Sequence, residues 1–488
     1  MSTPSAGSAA GPRTTAAGPA AGPSTPPVKK KSIDAVVAVA TLGALAFGFD
    51  TGVISGAIPF LQLPTSQGGL ALDSTLVGVV TSSLVLGAAI GGLLSGRLSD
   101  SYGRKRTLLV IAVLFVVGAL GTALAPNAGV MVLFRVVLGL AVGGASAVVP
   151  VFIGELAPTH LRGRLVARNE LFIVIGQLCA YSSNAVLASA MPDNHHTWRF
   201  MLVLCTLPAI GLFLGTFYLT ESPRWLIDRG RPDEARTVLW QLRSDAGPAQ
   251  IDTEIEEIAN HSRKMATTGD GDITGYLRSP WVRRIAFIGI GLAFLSQMTG
   301  VNSVMYYAPS ILIDTGMGAR AAIISTVGNG VVSVLAVAIG SMVLLPRFNR
   351  RTLLLTGQIG VTLALTLMGL SFTVLPESGV RSYLVLAFMM LFLVFMQCFV
   401  AVIFWLLLAE IFPLRVRGKL MGAAVFANWI ANFLVALVFP PLQAVLHGST
   451  FFVFAAINLG TIFFYWRFIP ETRGKSLEQL EEEFQCRS

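Results

Sequence analysis

ELAPTHLRGRL at residues 155–165 returns as EIFPLRVRGKL at residues 410–420, an offset of 255. Two further pairs flank it. Gly103-Arg104-Lys105 answers Asn349-Arg350-Arg351 at 246, and Glu221-Ser222-Pro223-Arg224 answers Glu471-Thr472-Arg473 at about 250. Three matches at nearly one offset mark a duplicated unit. Working outward, apolar runs of span length recur near 35–61, 76–96, 107–125, 129–154, 165–190 and 199–219. A second set lies near 284–313, 320–345, 352–375, 382–409, 420–446 and 450–466. Each can cross a bilayer as a helix. The predicted fold is an all-α membrane protein of twelve transmembrane helices in two pseudo-symmetric six-helix halves. Such parallel repeats place a substrate site near mid-membrane, between the halves.

Composition agrees: 54% of the 488 residues are apolar and 12% charged, where soluble domains carry about 25% charged residues. The basic balance does not point to nucleic acid. Of the 35 Lys and Arg, only Arg135 lies deep within a run, and only Arg199, Arg320 and Arg381 lie at the loops joining runs 5–6, 7–8 and 9–10. The rest crowd the tails and the alternate loops. Positive charge marks the cytoplasmic side, so both termini are expected there, in a multi-pass protein of the cell membrane. Its expected partners are the lipid bilayer, a small-molecule substrate and a proton; the protein itself is expected to be monomeric.

The expected organisation is a disordered cytoplasmic tail over 1–32, a first half over 33–221, a helical cytoplasmic linker over 222–283, a second half over 284–468 and a tail over 469–488. The four cysteines (Cys179, Cys205, Cys398, Cys486) show no ligand spacing, so neither a disulfide, a metal nor a cofactor is expected. No nucleophile–His–acid set or phosphate loop stands out, which argues against an enzyme.

Two lone charges carry the coupling hypothesis. Asp50 has no other charge between residues 35 and 72, and Arg135 sits alone in run 4. An ionisable group at bilayer depth costs a few kcal/mol unless paired or hydrated, so it is a functional candidate by default. Gly48, Gly52 and Gly56 recur every fourth residue and suit close helix packing. Asp50 lies about 200° round from that stripe. Arg135 lies in line with Gly139 and Gly143 on a face able to approach a neighbour. Arginine stays protonated, so Asp50 is the titrating member. Burial opposes its charge while Arg135 favours it, and small rearrangements tip the balance. The alternative is a static structural pair.

Three polar stripes predict a binding cavity. In run 5, Glu170, Gln177, Tyr181 and Asn184 are spaced 7, 4 and 3 apart, which is one helical face. Run 7 carries Thr299, Asn302, Ser303 and Tyr306; run 11 carries Asn428 and Asn432 beside Trp429. Carboxamides and hydroxyls match the vicinal hydroxyls of a polyol, and an indole such as Trp405 can stack on its C–H face. Interhelical hydrogen bonding is the alternative use of such groups. At the cytoplasmic ends, Asp100 with Arg104 and Lys105, Glu155 with Arg162, Glu221 with Arg224, and Glu410 with Arg417 could form a weak latch for the inner gate. Exposed pairs contribute only about 0–1 kcal/mol each.

These motifs resemble the sugar porter branch of the major facilitator superfamily, over roughly residues 33–484. The likeness rests on Gly96-Arg97-x2-Asp100-x2-Gly103-Arg104-Lys105, Glu221-Ser222-Pro223-Arg224, Gln297-x2-Gly300-Val301-Asn302-x3-Tyr306-Tyr307 and Pro470-Glu471-Thr472-Arg473-Gly474. ARNELFIVIGQL (167–178), TWRFMLVLCTLPA (197–209) and PWVRRIAFIGIG (280–291) are most similar to bacterial proton-coupled myo-inositol transporters. The resemblance implies sugar contacts at Glu170, Gln177, Gln297, Asn302, Trp405 and Asn428, a gating role for the cytoplasmic charges, and proton coupling at Asp50. In the second half, Pro346 replaces the family's Asp and Asn349 its Gly. Residues 398–404 lack the Gly and Pro usual before Trp405, so a helix without bending residues is expected there. Other functions remain open at this point: a hexose or pentose symporter, a passive sugar uniporter, a drug/proton exporter, or a nutrient sensor.

Overall fold

The computed structural model describes residues 30–158, 161–243, 247–268, 279–413, 416–473 and 479. Most of the two predicted tails, and the Arg162 side chain, lie outside the described residues. The described chain is helical, without strands. Eleven helical stretches are long and apolar enough to cross a membrane. The last, Arg417–Phe468, holds two passes, because the chain reverses at His447, where the backbone takes φ +47°. Among the described residues the crossings therefore number twelve.

The first half comprises α1 (Ile33–Leu61), α2 (Ser74–Tyr102), α3 (Arg104–Ala123), α4 (Ala128–Leu156), α5 (Arg162–Ala190) and α6 (Thr197–Thr216). The second comprises α7 (Pro280–Ile313), α8 (Ala319–Arg347), α9 (Arg350–Val374), α10 (Gly379–Ile411), α11 (Arg417–Leu446) and α12 (Thr450–Phe468). Twelve passes put both ends of the bundle on one side, here called the terminal face. Between the halves, helices Pro223–Asp228, Pro232–Leu242 and Pro248–Thr268 lie against the first half at that face. Arg243 donates to the Leu156 carbonyl at 3.0 Å and pairs with Glu254 at 2.8 Å.

Helix starts are set by local side chains. Asp73 accepts from the Leu76 N–H at 2.7 Å, Asn127 from Val130 at 3.0 Å and Ser378 from Arg381 at 3.3 Å. These N-caps satisfy donors that the first turn leaves orphaned.

Packing inside the first half depends on backbone-to-backbone approach. A Cβ at Gly48 would stand 1.8 Å from the Ile173 carbonyl oxygen of α5, and one at Gly143 would stand 1.9 Å from that of Ala88 on α2. Only glycine fits either contact. The stripe Gly48–Gly52–Gly56 thus seats α1 on α5, while the Gly139–Gly143 line seats α4 on α2.

The halves meet at or beyond mid-membrane, away from the terminal face. Tyr181 of α5 donates to the Met305 carbonyl of α7 at 3.1 Å, and Arg320 reaches the Ser189 carbonyl at 3.3 Å on the far side. Gly78 of α2 lies against the Leu437 backbone of α11, and Gly330 of α8 against Leu178 of α5. Phe47 meets Trp429 near the middle, ring centroids 6.0 Å apart. At the terminal face the described hydrogen bonds and ion pairs stay within one half or join it to the linker.

Candidate functional site

Asp50 and Arg135 come together. With the glycine stripe turned to α5, Asp50 projects from the other side of α1 and meets Arg135 Nη1 at 2.8 Å, each side chain 1% exposed. Arg135 Nε also donates to the Val80 carbonyl of α2 at 3.4 Å. Asp50 Oδ2 has no partner among the described residues. One oxygen of this buried pair is therefore left open to a further hydrogen-bond partner.

The amides gather in the second half. Helix α7 is broken at Gly300, whose φ of +85° lies in the left-handed region that favours glycine. Gln297 and Asn302 flank the break. Asn302 Nδ2 donates to Gln297 Oε1 at 2.7 Å, and Gln297 Nε2 to Asn428 Oδ1 at 3.4 Å. Asn428 Nδ2 in turn donates to the Ala293 carbonyl at 3.1 Å and to Ser296 Oγ at 3.3 Å. The chain of amides therefore ties α7 to α11 while Gln297 and Asn302 keep some exposure. Tyr306 is buried one turn along, beside Tyr307.

From the first half, Gln177 faces this group: its Nε2 lies 3.3 Å from Met305 Sδ, and its Oε1 has no partner among the described residues. Glu170, two turns nearer the terminal face, is half-buried. Trp405 stands apart from the amide chain, 40% exposed, with Phe404 edge-on at 4.7 Å.

Some stripe members serve the helices instead. Asn184 donates to the carbonyls of Gly52 and Val53 at 3.2 and 3.3 Å, fastening α5 to α1. Thr299 is fully buried and bonds the Ser296 carbonyl at 2.8 Å. Equal spacing on a face could not separate these from Gln177, because the face is shared between two neighbours.

The expectation of an unbent helix before Trp405 does not hold. Residues Met396–Ala401 form a π-helical turn inside α10, and Gly340–Leu344 form another inside α8. The two lie side by side: a Cβ at Gly340 would stand 2.2 Å from the Cys398 carbonyl oxygen. A π-turn inserts one residue into the helical register and deforms the helix as Gly or Pro would. Sequence pattern carries no cue for it.

At the terminal face the charges work within each half. Arg104 pairs with Glu155 at 2.8 Å and with Asp100 at 3.2 Å. Glu221 accepts from the backbone N–H of Arg104 at 2.8 Å and of Lys105 at 3.2 Å, capping α3. Glu471 does the same for α9, accepting from Arg350 at 3.0 Å and Arg351 at 3.1 Å. Glu410 accepts from the Thr472 hydroxyl at 2.5 Å, and Arg417 donates to the Phe412 carbonyl at 3.1 Å. Arg224 makes no ion pair among the described residues. These two cappers were legible only as repeat partners; that both cap a helix needed the fold.

Comparison with known proteins now bears on the whole arrangement. The model of the "Sugar (and other) transporter" family matches residues 36–484. The major myo-inositol transporter IolT of Bacillus subtilis is 46% identical over 92% of this chain and 94% of its own. The glucose transporter GlcP of Staphylococcus epidermidis is 35% identical over 93% and 97%. Among solved structures, the inward open conformation of the xylose transporter XylE from E. coli superposes at TM-score 0.77, with 30% identity, 92% of this chain and 99% of that one. XylE bound to 6-bromo-6-deoxy-D-glucose, described as a proton:xylose symporter of the major facilitator superfamily, superposes at 0.73 with 30% identity, over 93% and 99%. The chain belongs to the sugar transporter family of the major facilitator superfamily, and is a multi-pass membrane transporter rather than an enzyme.

Proposed function

We propose that the protein imports a cyclic polyol, myo-inositol before other candidates, together with a proton by alternating access. The observation that carries the proposal is the buried Asp50–Arg135 pair with its unpartnered carboxylate oxygen. Asp50 takes the proton, and Arg135 keeps the carboxylate charged until it does. Glu170, Gln177, Gln297, Asn302, Tyr306, Trp405 and Asn428 hold the substrate, their amides and hydroxyls matched to ring hydroxyls. Myo-inositol is preferred because IolT is more similar than the glucose and xylose carriers. The protein lies in the cell membrane with both termini cytoplasmic. The charges at that face, Asp100, Arg104, Glu155, Arg162, Glu221, Arg224, Glu410, Arg417 and Glu471, brace the helix ends that must come together when the inner gate shuts.

Uptake of labelled myo-inositol into proteoliposomes, with and without an inward proton gradient, is the test. Accumulation above equilibrium that requires the gradient supports symport. Equilibration without accumulation would leave a carrier and remove the role given to Asp50. Absence of inositol entry with uptake of a hexose or pentose would transfer the substrate sites to those sugars.

A further inference from the structure

Where α2 ends and α3 begins, the helix Pro223–Asp228 and the end of α6 complete a cavity of about 330 Å³ at the terminal face. Lys105 and Arg106, on the first turn of α3, line it beside the rings of Tyr102 and Trp225. Two carboxylates also line it, and both are engaged. Glu221 accepts from the α3 backbone, and Glu234 pairs with Arg231 at 2.6 Å. Among the described residues no carboxylate comes within ion-pair distance of Lys105 or Arg106. Lys31 adds to the crowding: burial, then the charge of Lys105, holds its ammonium below the usual lysine range. Among the described residues Lys105 and Arg106 thus line the hollow without an ion-pair partner, while its carboxylates are held by backbone N–H groups and by Arg231.

The walls that lead to this hollow are apolar and face outward. On α3, Val110, Val113, Val117 and Leu120 are exposed, at spacings of 3, 4 and 3. On α6, Leu207, Ile210, Leu214 and Phe217 repeat the pattern, Phe217 itself lining the cavity. Each set is one helical face, and both run from mid-membrane to the cavity. Tyr and Trp at its rim sit where aromatic rings prefer to lie, at headgroup depth. A ligand with an anionic head and long apolar tails fits both parts.

We infer that this cavity holds the phosphate headgroup of an anionic phospholipid, with Lys105 and Arg106 as the recognising cations and the acyl chains lying along α3 and α6. A basic hollow between helices at the membrane surface is suited to such headgroups. The occupant would sit directly behind the Glu221 cap, joining the start of α3 to the linker.

Native mass spectrometry of the full-length protein, with phosphatidylglycerol or phosphatidylcholine added, reads the site. Phosphatidylglycerol should be retained in preference. Arg106→Gln should weaken its retention about fivefold, and adding Lys105→Gln about fivefold again. Arg283→Gln, which removes a cation from the same face of the other half, should change nothing. Thermal unfolding in phosphatidylcholine alone checks that the variants fold; if the double variant does not, the single Arg106→Gln decides. Wild-type retention of phosphatidylglycerol by a folded Arg106→Gln variant would overturn the inference. So would equal stabilisation by millimolar inorganic phosphate, which would make this a site for a soluble anion.

Discussion

In the first half Arg104 reaches Glu155 at 2.8 Å and Asp100 at 3.2 Å. Its counterpart in the second half, Arg350, turns to the Leu345 carbonyl at 3.3 Å, and Glu410 takes the Thr472 hydroxyl instead. Pro346 stands at the place of Asp100 and brings no carboxylate. Yet the caps from Glu221 and Glu471 are nearly superimposable in their contacts. The difference separates two jobs that the motif strings mix together. Capping the third helix of each half belongs to the folded unit and appears twice. Among the described residues, the charge network is seen in the first half.

The same division runs through the membrane. The ionisable pair lies wholly in the first half, on α1 and α4, while the linked amides lie in the second, on α7 and α11. In the proposed function coupling passes between the halves, and Gln177 and Tyr181 against Met305 are contacts that join them.

The largest effect expected is from Asp50→Asn. If the proton site is confined to the first half, gradient-driven accumulation should fall from about fiftyfold at 100 mV to equilibrium, while inositol exchange across the membrane continues. Retained accumulation would break the division. Gln297→Ala should do the reverse: KM rises about tenfold with the loss of a polar contact of about 1.5 kcal/mol, and the accumulation ratio at saturation stays. A loss of coupling in that variant would show that the second half also handles the proton.

Next in size comes Glu155→Gln against Glu410→Gln. The Arg104–Glu155 pair is mostly buried, 11% and 13% exposed, so losing it should cost about 2 kcal/mol, between the values for exposed and buried pairs. Glu410 bonds a hydroxyl, and its variant should melt closer to wild type in a detergent thermal scan. Equal losses would mean the second half has a network of its own. Glu221→Gln and Glu471→Gln, by contrast, should lower stability alike, by about 1 kcal/mol each. Unequal shifts would show that the caps are not equivalent.

Much of this was legible in the residues. Twelve apolar runs, the repeat offset and the lone Asp50 and Arg135 are one-dimensional signals, and helix geometry converts the Gly48–Gly52–Gly56 spacing into a face with Asp50 turned from it. The partition of a polar stripe is a different matter. Glu170, Gln177 and Asn184 share a phase, but which neighbour each meets depends on where α1 ends and α7 begins along the same wall. The π-turn at 396–401 was illegible for a related reason: it is fixed by packing against the one at 340–344 rather than by any helix-breaking residue. Nor does sequence say toward which side the bundle opens, because one chain must code for both states.

The Glu221 and Glu471 caps also have a topological meaning. Each draws the stretch that follows a half's sixth helix back to the start of its third, so each half is buckled shut by its own last residues. The linker then contributes tethering more than closure. A gene split within the linker should yield two polypeptides, each already fastened, that find one another in the bilayer and transport together.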